Sequence, residues 1–199
     1  MNTEMKRTLA IATFAVVFGV LVAVLKGGDA GLRDSLGNVS APWLLLPYFA
    51  GTGSRGLLRG AALGLSACLA ALLGFYVAES VVLDLGPHPW LTDLALTLSA
   101  GRIYFTAALI SGPVMGAIGG AFERRTLVSA VVVGLTLMGE PLVVFLYQAS
   151  HGIDPGESGM VIGYPVLWIG EVVLGFVLSA AMLARRSRST AVITGTVRR

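Results

Sequence analysis

The sequence predicts an all-α polytopic membrane protein, a bundle of six transmembrane helices with both termini in the cytoplasm. The first observation behind this is composition: 55% of the residues are hydrophobic and only 13% are charged. Soluble domains carry about a quarter charged residues, so a soluble fold is excluded. The second is length, since a hydrocarbon core of ~30 Å needs about 20 apolar residues per helix. The 199 residues therefore accommodate the spans and leave no room for a soluble domain.

We expect one transmembrane helical domain over residues 1–184, followed by a basic cytoplasmic tail over 185–199 that is loosely ordered near anionic lipid. A shorter helix is predicted on the outer interface from Trp90 to Leu98, where apolar residues recur at helical spacing. The six transmembrane helices are predicted at about 8–25, 41–56, 57–78, 102–122, 126–148 and 160–184.

The basic residues indicate the orientation. Cytoplasmic loops of membrane proteins are enriched in Lys and Arg, so the more basic side is assigned to the cytoplasm. Lys26, Arg33 and Arg102 fall on the opposite side. The remaining basic residues share the cytoplasmic side: Lys6, Arg7, Arg55, Arg59, Arg124, Arg125, Arg185, Arg186, Arg188, Arg198 and Arg199. Both termini are thus predicted inside, in a bacterial inner membrane.

The second apolar stretch, Ala41–Gly51, is the shortest of the six. It rises only about 16 Å as a helix, and it contains Pro42 and Pro47. A re-entrant segment is the alternative. The alternation of basic loops favours a full crossing, with the helix continuing past Gly51 to residue 56.

Three glycines of the fourth predicted helix, Gly112, Gly116 and Gly120, are each four residues apart. Such a stripe of small residues lets two helix backbones approach closely. It indicates packing within the bundle or, alternatively, a docking face for a partner. Prolines are expected to interrupt four helices, each freeing one backbone carbonyl: Pro47, Pro113, Pro141 and Pro165.

Two acids, Glu140 and Glu171, lie inside the last two predicted helices. A charged side chain at the bilayer centre costs roughly 2.5–3.5 kcal/mol, so such residues usually have a function. They are expected within one or two turns of the same depth, toward the outer side. Each lies on a stripe of polar or small residues at helical spacing: Ser129, Thr136, Glu140 and Tyr147, and Tyr164, Trp168, Glu171, Gly175 and Ser179.

The pattern favours an outward-facing cavity that binds or transports a small polar or cationic solute, with protonation-dependent binding at the two acids. The alternative for each acid is a structural hydrogen bond between helices. The residues predicted to bind substrate are Glu140, Glu171, Thr136, Tyr147, Tyr164, Trp168 and Arg102.

No catalytic, phosphate-binding or metal-binding motif is present in the sequence, so we expect no enzyme, no cofactor and no metal site. The basic residues flank apolar runs instead of forming one patch, which excludes nucleic acid as a partner. The expected partners are the lipid bilayer, a small-molecule or cation ligand, and a membrane-protein partner or second copy. The alternative function is a non-catalytic accessory or assembly subunit that uses the Gly112–Gly120 stripe.

Three segments, GNVSAPWLLLPYFAG at Gly37–Gly51, SGPVMGAIG at Ser111–Gly119 and GEP at Gly139–Pro141, resemble small multi-pass bacterial membrane proteins of unknown function. In length, helix count and orientation the chain is also similar to the substrate-binding S components of energy-coupling-factor vitamin transporters. That resemblance implies solute binding beneath the first external loop. It also implies docking to a transport subunit through small residues of the first helix, here Ala15, Gly19 and Ala23.

Overall fold

The protein is an all-α membrane protein. The computed structural model describes residues 3–26, 31–54, 56–82, 89–122, 126–151 and 165–196, and these contain helices and no strand. Five of the helices in these ranges are long and apolar enough to cross a bilayer. Large apolar side chains such as Phe14, Ile110 and Phe176 are exposed on them, as expected of surfaces that face lipid.

The helices follow the predicted order. The α6 helix has the predicted bounds, and α5 lies where the short helix from Trp90 to Leu98 was predicted. The elements are α1 (Thr3–Lys26), α2 (Leu32–Gly37), α3 (Ala41–Gly51), α4 (Leu57–Val82), α5 (Trp90–Ala100), α6 (Arg102–Phe122), α7 (Thr126–His151) and α8 (Pro165–Thr196).

Several bounds differ from the sequence prediction, since α1 begins five residues earlier and α4 and α7 end four and three residues later. Helix α3 ends at Gly51 instead of residue 56, because the backbone turns there and Gly53 adopts a φ of +73°, a left-handed conformation that favours glycine. Helix α8 continues to Thr196, through most of the tail that was predicted to be loosely ordered. The predicted first residues of this helix, 160–164, lie outside the described residues, and Pro165 is the first described residue of α8.

The chain divides into two compact units, Met1–Ala121 and Phe122–Arg199. In the first unit, α1 and α4 run side by side in the same direction. Glu4 forms an ion pair with Arg59 at the start of both helices, and Lys26 Nζ lies 3.1 Å from Glu79 Oε1 at their other end. We call these the Arg59 end and the Glu79 end of the unit.

Small residues make the α1–α4 contact close. A Cβ atom at Gly19 would collide with the carbonyl oxygen of Ala71, and Ala15 and Ala23 are buried. The Ala15–Gly19–Ala23 stripe therefore lies against α4 within the unit. Backbones this close gain van der Waals contacts. These contacts hold helices together in lipid, where the hydrophobic effect does not drive helix association.

The segment from α2 to α3 connects the two ends of this pair. A Cβ atom at Gly37 would lie 2.6 Å from the Cβ of Lys26, which places the end of α2 at the Glu79 end. Arg7 donates hydrogen bonds to the carbonyl oxygens of Thr52 and Gly53, which places the end of α3 at the Arg59 end. Helix α3 thus runs opposite to α1 and α4.

The aromatic side chain of Trp43 joins α3 to both partners. Its ring centroid lies 5.2 Å from that of Phe18 on α1 and 5.7 Å from that of Phe75 on α4, both in edge-to-face geometry. Leu46 and Ala50, further along α3, pack in a cluster with small residues of the same two helices. Burial between α1 and α4 compensates for the shortness of α3 and for Pro47 within it.

The glycine stripe of α6 packs against α4. A Cβ atom at Gly116 would collide with the carbonyl oxygen of Gly60, and one at Gly64 would lie 2.7 Å from the Cα of Gly116. Gly112 lies beside Leu65, and Gly120 lies beside Gly56. The stripe therefore packs within the bundle, one of the two interpretations that the sequence allowed, and α6 runs antiparallel to α4.

Helix α5 presents its polar side to the protein. Asp93 and Thr97 are 7% and 6% exposed, whereas Leu91 is 69% exposed. Trp90 Nε1 donates a hydrogen bond to Ser80 Oγ of α4, at 3.2 Å, which fixes the start of α5 at the Glu79 end. An apolar outer face and a polar inner face are the arrangement expected of a helix in contact with lipid.

Candidate functional site

The candidate site lies in the second unit, where α7 and α8 form an antiparallel pair. Ser179 Oγ of α8 donates a hydrogen bond of 2.9 Å to the carbonyl oxygen of Ala130 on α7. One turn earlier in α8, a Cβ atom at Gly175 would lie 3.0 Å from the Cβ of Leu137. One further turn brings Glu171 to Glu140. The contacts move toward the start of α8 as they move toward the end of α7, so the two helices are antiparallel.

Glu140 and Glu171 lie at matching depths in this pair. Glu171 is five residues from the start of the apolar span Val166–Ala184, and Glu140 is six residues from the end of the span Thr126–Leu146. At 1.5 Å per residue, both acids lie about 8–9 Å inside the end of the hairpin where α7 finishes and α8 begins. The sequence predicted this agreement in depth.

Glu171 is buried, at 8% exposure. Both of its carboxylate oxygens are inaccessible to solvent and have no hydrogen-bond partner within the described part of the chain. The carboxyl group of Glu140 lies close enough to that of Glu171 to interact with it electrostatically. A buried polar group without a partner costs about 1–3 kcal/mol, so these two oxygens are unfavourable for the stability of the α7–α8 pair.

Trp168 lies one turn before Glu171 on the same face of α8. Its Nε1 is also buried and also has no hydrogen-bond partner among the described residues. Buried indole N–H groups usually find an acceptor. The first turns of α8 therefore bring together one unused donor and two unused acceptors.

Glu140 is half-buried and is followed directly by Pro141 inside α7. Because proline has no N–H, the carbonyl of Leu137 has no intrahelical partner. Leu137 is 4% exposed and packs on the α8 face that carries Gly175. The backbone thus adds a further acceptor one turn from the acids, on the side of α7 that contacts α8.

Two of the other predicted binding residues, Thr136 and Arg102, have side chains that the structure describes. Thr136 is half-buried, and its hydroxyl donates to the carbonyl oxygen of Val132 in its own helix, at 2.8 Å. Arg102 belongs to the first unit, where it is exposed at the start of α6. Tyr164 and the side chain of Tyr147 lie outside the described residues.

The face of α7 that contacts α8 is shifted from the predicted stripe. Ala130, Gly134 and Leu137 make this contact, whereas the sequence placed Ser129 and Thr136 in the facing row. Small residues lie at the contact because they let the helix axes approach, and polarity alone does not show this. Glu140 flanks the contact row.

Asp93 in the first unit is a buried acid that the sequence analysis did not single out. Its Oδ1 is inaccessible and has no hydrogen-bond partner in the described ranges. The sequence contains a signal for this placement, because Asp93 and Thr97 are four residues apart and so share one side of α5. That helix was predicted from its apolar residues alone.

The described residues contain no group of three or more His, Cys, Asp or Glu side chains placed to hold a metal ion. Within the second unit, the pair of acids and Trp168 are the candidate ligand-binding groups. No protein-family model, curated protein or solved structure matches the chain.

Proposed function

We propose that the protein binds or transports a small polar or cationic solute at Glu140 and Glu171, with binding that depends on protonation of the two carboxyl groups. The observation that carries this proposal is Glu171, whose two buried oxygens have no hydrogen-bond partner among the described residues. A purely structural acid in lipid would be expected to bond a neighbouring helix. A buried acid without a hydrogen-bond partner is suited to bind a solute reversibly.

The mechanism follows from the pairing of the two acids. Two carboxylates brought together in a medium of low dielectric constant repel each other, so the pair favours the uptake of a proton. A cationic solute removes the same repulsion and competes with the proton. Binding of solute and proton would then be linked through one site, as coupled transport requires.

This proposal is tested with the double change of Glu140→Gln and Glu171→Gln. Glutamine keeps the shape of the side chains and removes their charge, so we expect the variant to fold and to lose solute binding. The purified protein is screened by thermal shift against Na⁺, K⁺, ammonium, ethanolamine and choline. A probe at about 100 times its dissociation constant stabilises the binding-competent protein by ~2.7 kcal/mol.

The matched control is Glu4→Gln. This acid is about half exposed and pairs with Arg59 on the surface of the first unit, where an ion pair contributes little. The Glu4→Gln variant should show the same thermal shifts with the probes as the native chain. The proposal is contradicted if no probe stabilises the native protein, or if the double variant is stabilised equally.

We further propose six crossings with both termini in the cytoplasm of a bacterial inner membrane. Support comes from the ends of the first unit. Arg7 and Arg59 lie at one end, and α2 and α5 lie at the other. The positive-inside rule assigns the Arg59 end to the cytoplasm. The chain from Gly37 to Thr52 then crosses the membrane, although α3 accounts for only about 16 Å of the path.

Cysteine labelling tests this topology. Cys68 is buried and is replaced by alanine to give a background without thiols. A single cysteine at Asn38 should react with a membrane-impermeant maleimide added outside intact spheroplasts. One at Gly56 should react only after the membrane is opened. Equal external reactivity of the two positions would show that α3 is re-entrant.

The alternative function is a non-catalytic accessory or assembly subunit. The Gly112–Gly120 stripe, on which that interpretation depended, is occupied by α4, so a partner would need a different face. Co-purification of one stable membrane partner, with no thermal shift from any probe, would favour this alternative over solute binding.

A further inference from the structure

The unpartnered atoms at the start of α8 define what an occupant of the site must offer. Trp168 and Glu171 are three residues apart on one helix, which places their Cβ atoms about 5–6 Å from each other. Trp168 Nε1 donates a hydrogen bond and never accepts one, whereas an ionised Glu171 only accepts. The indole N–H and the carboxylate do not bond each other in this structure.

A bare metal cation would satisfy only part of this set. It would bind the oxygens of Glu171 and gain from the negative charge of Glu140, but it would leave the indole N–H without an acceptor. A neutral alcohol supplies both a donor and an acceptor, but gains nothing from the two facing acids. A solute that carries a cationic donor beside a neutral acceptor matches all three atoms.

We infer that the site recognises a small primary amine whose ammonium group binds Glu171 and whose neighbouring hydroxyl or carbonyl oxygen accepts a hydrogen bond from Trp168 Nε1. This inference rests on the proposed function and adds the chemical class of the solute to it. Trp168 is then the residue that distinguishes a hydroxylated or carbonyl-bearing amine from a plain alkylamine.

The experiment compares two amines that differ by one hydroxyl group. Isothermal titration of the purified full chain in detergent is carried out with ethanolamine and with ethylamine. We expect ethanolamine to bind about tenfold more tightly, since a buried N–H left without its partner is penalised by roughly that factor. Trp168→Phe keeps the aromatic ring and removes the N–H. It should weaken ethanolamine binding about tenfold and leave ethylamine binding unchanged.

Two further variants separate this inference from the proposed function. Glu171→Gln should abolish binding of both amines. Trp90→Phe, which removes the indole N–H bonded to Ser80 in the first unit, should change neither affinity. Equal weakening of both amines by Trp168→Phe, or no weakening, overturns the inference while amine binding at Glu171 stands. If neither amine binds the native chain, the inference is also overturned, and the five-probe screen then decides whether the proposed function survives.

Discussion

Replacing Gly116 with leucine is expected to lower the free energy of unfolding by about 3 kcal/mol, the largest stability effect among these predictions. A Cβ atom at this position collides with the backbone carbonyl oxygen of Gly60. A backbone atom has no rotamer by which it could move aside, so α6 must separate from α4. Overpacking of a well-packed contact typically costs 1–3 kcal/mol, and a backbone collision falls at the upper end of that range.

The measurement is unfolding of the purified protein in mixed micelles of dodecyl maltoside and increasing SDS. Gly170→Leu is the matched control, because a Cβ atom at Gly170 meets nothing within 4 Å and the residue is exposed on α8. It should unfold close to the native midpoint. Equal stability of the two variants would show that the glycine stripe of α6 is not a tight helix contact.

Replacing Glu171 with methionine is expected to stabilise the protein and to abolish the proposed solute binding. Methionine has a similar length and no polar atom that requires a partner. Since the two unpartnered oxygens of Glu171 cost about 1–3 kcal/mol, we expect the free energy of unfolding to rise by about that amount. The same variant should show no thermal shift with any cationic probe, because the charge that attracts the solute is gone.

This combination of effects separates a binding acid from a structural one. If Glu171 held α7 and α8 together through a hydrogen bond, its removal would destabilise the pair. Glu4→Met provides the comparison, since it removes an exposed acid and should change stability by less than about 0.5 kcal/mol. A destabilised Glu171→Met variant would assign the residue to the architecture of the hairpin.

Local signals were sufficient to predict much of the helical framework. The bounds of α6 follow from its apolar run between Arg102 and Phe122, and α5 follows from helical spacing alone. The end of α3 could not be predicted in this way. It depends on the left-handed conformation of Gly53 and on hydrogen bonds from Arg7, more than 40 residues away in the chain. Hydropathy carries no information about such a contact.

The candidate site was predictable in outline and not in detail. Two acids in apolar helices are visible in the sequence, and their common depth follows from helix geometry. Which face of α7 contacts α8 depends on how small residues such as Gly134 and Gly175 fit together. Only the positions of the neighbouring side chains show that Glu171 and Trp168 have no hydrogen-bond partner among the described residues.

The parallel arrangement of α1 and α4 has a consequence for biosynthesis. The α3 segment is only 11 residues long and contains a proline, so it is a poor substrate for independent insertion by the translocon. Its neighbours are α1, which is already made, and α4, which is synthesised after it. We therefore expect α3 to enter the membrane late, once α4 has arrived beside α1. The orientation of the N-terminal half would then be completed by helix assembly after synthesis of α4, and truncation before Leu57 should leave α3 outside the bilayer.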